Sequence, residues 1–142
     1  TDGPSNTVYR VDPTTNVGSI FLSDASLGEP HAVVWHPTQQ LFLIAGSKSG
    51  KIRAFDRNGK EQSIPGIFLQ DPEGLAVDDA GNIYVASGTL RSLLKITPTF
   101  AISSLGLNMA GPMGLSFLSA TKEIAVSLFE GNGVQSFAIP KN

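Results

Sequence analysis

The chain of 142 residues has no cysteine, a single tryptophan and few charged side chains. Because cysteine is absent, disulfide frameworks and thiolate metal sites are excluded. Charged residues make up 15% of the chain, against about 25% in average globular domains. The net charge of −2 argues against nucleic acids and anionic membranes as general partners. No apolar run approaches the roughly 20 residues that a membrane-spanning helix needs.

Turn-forming residues, in contrast, are frequent. The 15 glycines and 9 prolines are spread along the chain, which favours many short strands joined by turns over a disordered tail. By size, residues 1–142 form one domain. The chain begins at Thr1 without Met, so we expect a processed mature chain or an excised fragment, and a secreted or periplasmic location is favoured.

The clearest local pattern lies between residues 72 and 87 and predicts a β-hairpin. Apolar residues alternate over 75–77 and again over 83–86, which is the period of a strand. The five residues between them, 78–82, have turn chemistry, and Gly81 is expected to adopt a positive φ. Pro72 has no amide to give to a ladder and therefore fits at the entry of the first strand.

The same hairpin recurs after Pro30 and after Pro112. We predict repeats over residues 17–56, 61–97 and 100–139, with an extra strand at 7–11 and no helix. A strand at 62–69 is expected to contain a bulge or to lie at an edge, since Pro65 and Gly66 interrupt it. Four strands repeated about every 40 residues are typical of a β-propeller blade. The alternative is an ordinary β-sandwich, whose strands have similar spacing.

Residues 72–87 resemble the NHL repeat, with Pro-x-Gly-Leu-Ala-Val-Asp followed by Gly-Asn-Ile-Tyr-Val-Ala. Residues 27–56 also resemble the regucalcin and gluconolactonase group of six-bladed propellers. The resemblance implies an all-β propeller of which this chain holds about three blades, half of a six-bladed ring. It implies no single function, because such blades occur in hydrolases, lyases, binding modules and scaffolds.

In such propellers the residue after the repeat's proline faces the central channel. The resemblance therefore implies that His31, Glu73 and Met113 are channel-facing candidates. Lactonases place carboxylates there around a divalent ion, and the amidating lyases place histidines there around zinc, so Glu73 and His31 are candidate ligands for calcium or zinc. A catalytic metal site usually needs three protein ligands. The alternative is that Glu73 is a solvated loop-end carboxylate and His31 a channel-wall residue without a ligand.

Other polar and aromatic groups are expected to be structural. His36 should be a solvated turn residue, and the adjacent acids Asp78 and Asp79 should start a turn, not bind calcium. The loop 46–50 lacks the spacing of a phosphate-binding loop. Five aromatic residues are expected to pack between blades: Trp35, Phe42, Phe55, Phe117 and Phe137.

Two classes of function follow from these residues. The first is a propeller binding or scaffold module that recognises a small ligand or a protein partner, because no complete catalytic set is evident. The alternative is a metal-dependent, lactonase-like hydrolase or lyase with its site in the channel. RNA binding is disfavoured by the charge balance. Three blades cannot close a ring, so we expect a homodimer or another propeller segment to complete it.

Overall fold

The computed structural model describes residues 1–139 and contains thirteen strands in four antiparallel sheets. The strands are β1 (Thr7–Val11), β2 (Gly18–Ser23), β3 (Pro30–His36), β4 (Leu41–Gly46), β5 (Lys51–Phe55), β6 (Glu61–Gln62), β7 (Pro72–Val77), β8 (Ile83–Ser87), β9 (Ser92–Ile96), β10 (Ile102–Gly106), β11 (Pro112–Leu118), β12 (Glu123–Leu128) and β13 (Gly133–Ala138).

Two of the sheets are complete four-stranded blades, β3-β4-β5-β6 and β7-β8-β9-β10. Their first strands, β3 and β7, contact each other, and β7 also contacts β11 of the next sheet. The first strand of each sheet is therefore the innermost one, next to the channel, and the fourth is outermost. This arrangement confirms the predicted all-β propeller of four-stranded antiparallel blades.

The two remaining sheets are incomplete within residues 1–139. Strands β1 and β2 pair only with each other, and β2 leads into β3 as β6 leads into β7. They therefore correspond to the third and fourth strands of a blade. The last sheet, β11-β12-β13, has a blade's first three strands. The described chain thus begins and ends inside a blade.

Two details of the secondary structure differ from the sequence predictions. The strand expected over 62–69 is reduced to β6, and its far end forms only an isolated bridge between Lys51 and Phe68. The proline at 65 explains the loss, because it removes an amide from the ladder. One short 3-10 helix, Ala25–Leu27, lies where a loop was expected, and Asp24 caps it by accepting from the amide of Ser26. Among the described residues, no helix could cross a membrane.

Apolar side chains fill the spaces between successive sheets. The largest cluster joins the two complete blades, and fully burying each Leu, Ile or Val side chain contributes about 1.5–3 kcal/mol. Its buried members are Leu43, Ala45, Ile52, Ala54, Ile67, Leu69, Leu75, Ile83, Val85, Leu94 and Ile96. A second cluster joins the sheets of β7–β10 and β11–β13, and a third joins the first two sheets. Each blade is therefore stabilised mainly by its neighbours.

The turn between β7 and β8 is held by a buried carboxylate. One oxygen of Asp78 accepts from the amides of Ala80 (3.0 Å) and Asn82 (2.8 Å). The other accepts from the side-chain amide of Asn82 (2.7 Å) and the hydroxyl of Tyr84 (2.8 Å). Burial, with the Asp78 carboxylate beside it, raises the pKa of Tyr84 well above its ordinary value. Gly81 has a φ of 79°, as predicted. Asp78 is thus structural, as the sequence indicated.

His36 is buried, so the prediction that it is a solvated turn residue is wrong. Its Nδ1 accepts from the amide of Gln39 (3.2 Å), which leaves Nε2 as the donor to the carbonyl of Gly81 (3.3 Å). The imidazole therefore joins the end of β3 to the turn of the next blade. The position lies beside a turn in sequence, but the neighbouring blade covers it.

Four of the five aromatic residues pack between blades as predicted. Phe42 contacts Phe21 of the preceding sheet with ring centroids 5.3 Å apart. Phe55 lies in the cluster between the first two sheets, and Phe117 and Phe137 lie against the cluster between the last two. The exception is Trp35, which was predicted to be buried but is only partly buried, against Phe42 (4.8 Å) and the Arg57 guanidinium (4.7 Å). It faces the incomplete first sheet, which offers no inner strands to cover it.

Replacing Gly81 by valine should destabilise the protein by more than about 1 kcal/mol. The positive φ is unfavourable for a β-branched residue, and an added Cβ would lie 3.2 Å from Cε1 of His36. Urea unfolding measures the change. Gly66→Val is the matched control, because Gly66 is exposed and has no atom within 4 Å of the added Cβ. Equal midpoints for the two variants would contradict this account.

Tyr84→Phe should lower the free energy of unfolding by about 1–3 kcal/mol, because the buried Asp78 carboxylate loses a hydrogen-bond donor. Tyr9→Phe serves as the control, since Tyr9 is exposed and should change stability by less than about 0.5 kcal/mol. The measurement is urea denaturation at neutral pH. A Tyr84→Phe midpoint indistinguishable from that of the control would show that the buried network contributes nothing.

Candidate functional site

The three predicted channel residues occupy equivalent places at the start of the innermost strands. Each strand begins with a fully buried proline, at 30, 72 and 112. The residue before the proline has a positive φ in every case: 55° at Glu29, 49° at Asp71 and 65° at Gly111. This shared turn directs the chain into the innermost strand, so His31, Glu73 and Met113 lie at the same end of these three strands, which we call the channel end after the prediction.

The innermost strands approach each other closely at this end. A Cβ added to Gly74 would lie 1.9 Å from the carbonyl oxygen of Met113, so a side chain at this position would force β7 and β11 apart. Glycine in the Pro-x-Gly motif is therefore required by the packing of neighbouring blades. The close approach sets the position of the residue between Pro72 and Gly74, which is Glu73.

His31 and Glu73 meet across the boundary between two blades. Nδ1 of His31 contacts Oε2 of Glu73 in a hydrogen bond that becomes an ion pair when the imidazole is protonated. The His31 side chain is 37% exposed and the Glu73 side chain 14% exposed, so the pair is open to a ligand on the imidazole side. Met113 lies on β11 and adds a partly buried thioether, which is a weak acceptor.

Burial raises the pKa of the Glu73 carboxyl above its ordinary value, and the nearby Asp71 carboxylate acts in the same direction. The His31 imidazole opposes both effects. Asp71 is itself held by the hydroxyl of Thr89, 3.2 Å from its Oδ2. The channel end therefore has an acidic character, and part of its charge is disfavoured by burial.

Two carboxylates of this end were not identified from the sequence. Asp71 and Glu29 precede the repeat prolines, and Glu29 forms an ion pair with Lys48. A signal exists in the spacing, because both lie two residues before a predicted channel residue. Its meaning depends on the positive-φ turn, which the sequence does not reveal for residues other than glycine.

The N-terminal residues lie against the imidazole. The hydroxyl of Thr1 donates to the carbonyl of His31 (2.8 Å), and a Cβ added to Gly3 would be 3.6 Å from Cδ2 of His31. Over residues 1–139, no group of three or more His, Asp or Glu side chains is placed to hold a metal ion. Calcium or zinc binding by His31 and Glu73 therefore stays a prediction, since this pair supplies only two donors.

Comparison with solved structures agrees with the propeller assignment. A presumed gluconolactonase matches with a TM-score of 0.80 and 13% identity over 99% of this chain and 55% of its own. A chain of the nidogen/laminin complex matches with a TM-score of 0.78 and 15% identity, over 96% of this chain and 57% of its own. Virginiamycin B lyase from Staphylococcus aureus matches with a TM-score of 0.65 and 14% identity, over 99% of this chain and 51% of its own. No protein-family model and no curated protein matches the sequence.

These similarities define a class. The chain has the fold of the NHL and gluconolactonase-like β-propellers, as its sequence motifs indicated. At 13–15% identity, the likeness concerns the fold alone. The chain spans about half the length of the structures it matches. The described residues have one incomplete sheet at each end, which agrees with a chain that spans about half of a propeller.

Glu73→Gln should change how stability depends on pH. Because the folded state raises the pKa of Glu73, this carboxyl contributes stability below about pH 4.5, and the contribution is lost as the pH rises through the folded-state pKa. Glutamine has no charge to bury, so the stability of the variant relative to the wild type should rise between pH 4 and pH 8. Urea midpoints measured across this range test the sign.

Glu61→Gln is a control variant whose stability relative to the wild type should change with pH in the opposite direction. The hydrogen bond from Arg53 lowers the pKa of Glu61, so this carboxylate contributes stability above its ordinary pKa. The stability of that variant relative to the wild type should therefore fall over the same pH range. A constant or falling difference for Glu73→Gln would show that its carboxyl is not desolvated in the folded protein.

Proposed function

We propose that this chain is part of a β-propeller binding module that recognises a small ligand, or a side chain of a protein partner, at the channel end bearing His31 and Glu73. The observation that carries the proposal is the His31–Glu73 contact, made by equivalent positions of two different blades. Burial of the Glu73 carboxyl at this contact disfavours its charged form and raises its pKa. Functional sites frequently retain such unfavourable groups.

The chemistry of the site favours one kind of ligand. Carboxylates at 71 and 73 accept hydrogen bonds, and the half-exposed imidazole of His31 does so when neutral. A ligand with a positive charge or several hydrogen-bond donors, such as a primary amine, is complementary to this arrangement. An anionic ligand would meet the like charges of the two carboxylates.

The alternative is a metal-dependent, lactonase-like hydrolase or lyase. Its support is the donor set of one imidazole and one carboxylate, together with a fold shared with a lyase and a presumed gluconolactonase. The described residues supply two donors where a catalytic zinc site uses three. A metal held here would polarise a carbonyl or activate water. His31 and Glu73 would hold it, and closure of the ring by a second copy would add an equivalent pair.

Binding of defined probes distinguishes the two functions. We expect primary amines, screened by ligand-observed NMR, to bind the wild-type protein and to lose binding in His31→Ala and Glu73→Gln. Asp79→Asn is the control, since this exposed carboxylate pairs with Lys122 at the opposite end of β7 and should leave binding unchanged. Equal amine binding by wild type and by both channel variants would overturn the proposed site.

Calcium chloride and zinc chloride test the alternative. If the site is a metal centre, either ion at low micromolar concentration should raise the thermal midpoint of the wild type and not that of Glu73→Gln. Elemental analysis of the purified protein should then find about one ion per site. Absence of bound ion and of any thermal shift would remove the hydrolase or lyase.

A further inference from the structure

We propose that a second copy of this chain completes the propeller by adding the edge of its β12 to the free edge of β1, with its own β13 displaced. The proposal rests on the part of the proposed function in which this chain belongs to a closed propeller ring. It adds the identity of the partner and the strands that join. It is independent of which ligand occupies the channel.

Joining two copies requires one strand to be displaced at each junction, because the two incomplete sheets together have more strands than one blade. Where two copies meet, one brings β11, β12 and β13, which are a blade's first three strands. The other brings β1 and β2, which are its third and fourth. Five strands therefore compete for four positions, and the third position is claimed by both β13 and β1. Two copies can close six regular blades only if one of these strands leaves at each junction.

β13 is the strand that leaves at lower cost. Five of its six residues are exposed, and only Phe137 is partly buried. In β1, Thr7 and Val8 are buried, and Val8 packs with Leu27, Ile44 and Phe55 in the cluster between the first two sheets. Removing β1 would open that cluster, whereas removing β13 would withdraw one partly buried side chain, Phe137, from the cluster between the last two sheets.

β1 has an edge that can accept a strand. The amide of Asp12 donates to the carbonyl of Val17 (3.0 Å), and the register runs from there through Arg10 opposite Ser19. Hydrogen bonding alternates along an antiparallel pair, so the amides of Tyr9 and Val11 point away from β2. Both residues are exposed, at 49% and 58%. At Thr7 this edge is bridged to Asp2, but over residues 9–11 it is unpaired, and a blade's second strand belongs there.

Charges are complementary at the proposed junction. The turns after β1 and β5 match, since Asp12 and Asp56 each donate an amide across their hairpin. We align β1 with β5 at these turns, and β5 with β13 through the strands that they pair with, β4 and β12. This alignment places Arg10 at the position that Ser136 occupies in the single copy. The hydroxyl of Ser136 donates to Oε1 of Glu123 (3.3 Å). Arg10 at that place would reach Glu123 of the second copy as a charged pair.

Within the part of the chain that the structure describes, no opposite charge pairs with Arg10 or with Glu123. Among residues 1–139, Arg10 has no carboxylate partner, and its guanidinium donates to the carbonyl of Arg57 (2.6 Å) and stacks on Phe21 (4.7 Å). Asp12 would lie opposite Glu123 at the junction. Its carboxylate, however, accepts from the amides of Thr14 and Thr15 and so is held in its own turn.

The junction would also cover an open cleft. A cavity of about 530 Å³ lies beside the first sheet, lined by Arg10, Trp35, Phe42, Arg57 and Asn58. It faces the side on which the inner strands of the first blade are absent from the described residues. Strands β11 and β12 of a second copy would close it and bury the indole of Trp35. The sole tryptophan therefore reports on the junction.

A charge-reversal cycle measured by sedimentation equilibrium tests the proposal. We expect a dimer, with Arg10→Glu and Glu123→Arg each raising its Kd about tenfold or more, and the double variant returning to within about threefold of the wild type. Positions 10 and 123 lie in the first and last sheets of one copy, so their coupling reports contact between copies. The proposal would be overturned by a wild type that is monomeric at high micromolar concentration. It would also be overturned if the effects of the two single substitutions on the Kd add in the double variant.

The edge itself is tested by Val11→Pro, which removes the amide that faces away from β2, with Val11→Thr as the matched control that keeps it. Only the proline variant should lose the dimer and the blue shift of Trp35 emission that accompanies association. Equal dimerisation of both variants would overturn the proposal. Failure of amine and metal binding, with the cycle still coupled, would reject the channel site and leave this inference standing.

Discussion

The packing of each blade against its neighbour is the constraint on which this structure depends. The two complete blades bury their faces only against neighbouring sheets, and the apolar clusters all lie between sheets. The closest approach is at the channel, where Gly74 leaves no room for a side chain beside the Met113 carbonyl. The same packing places His31 against Glu73 and His36 beneath the Gly81 turn. Both ends of β3 are thus joined to the next blade.

Neighbour packing also explains why the incomplete sheets are significant. The interior boundaries bury their apolar faces, whereas the first sheet leaves Trp35 partly uncovered and leaves the edge of β1 unpaired beyond the bridge between Asp2 and Thr7. A free edge and an open apolar face at one place are what strand addition requires. The chain spans about half the length of the propellers that it matches, so it presents only part of a channel wall.

The sequence predicted the parts of the fold that local chemistry determines. The Gly81 turn and the three proline-initiated inner strands follow from residue types and period, and the structure has them. The burial of His36 did not follow, because its partner Gly81 is 45 residues away on another blade. Trp35 was predicted to be buried, but it is only partly buried, because the described residues include no inner strands that would cover it. The sequence also predicted that His31 and Glu73 face the channel, but not that they touch.

The central claim is that the carboxyl of Glu73 is partly desolvated and paired with His31 at the channel end. A ¹³C NMR titration of the Glu73 side-chain carboxyl tests it most directly. The structure predicts a midpoint above the ordinary pKa of 4.5, and a further rise in His31→Ala, because the imidazole lowers the pKa of this carboxyl. A midpoint at or below 4.5 in the wild type, unchanged in His31→Ala, would contradict the account.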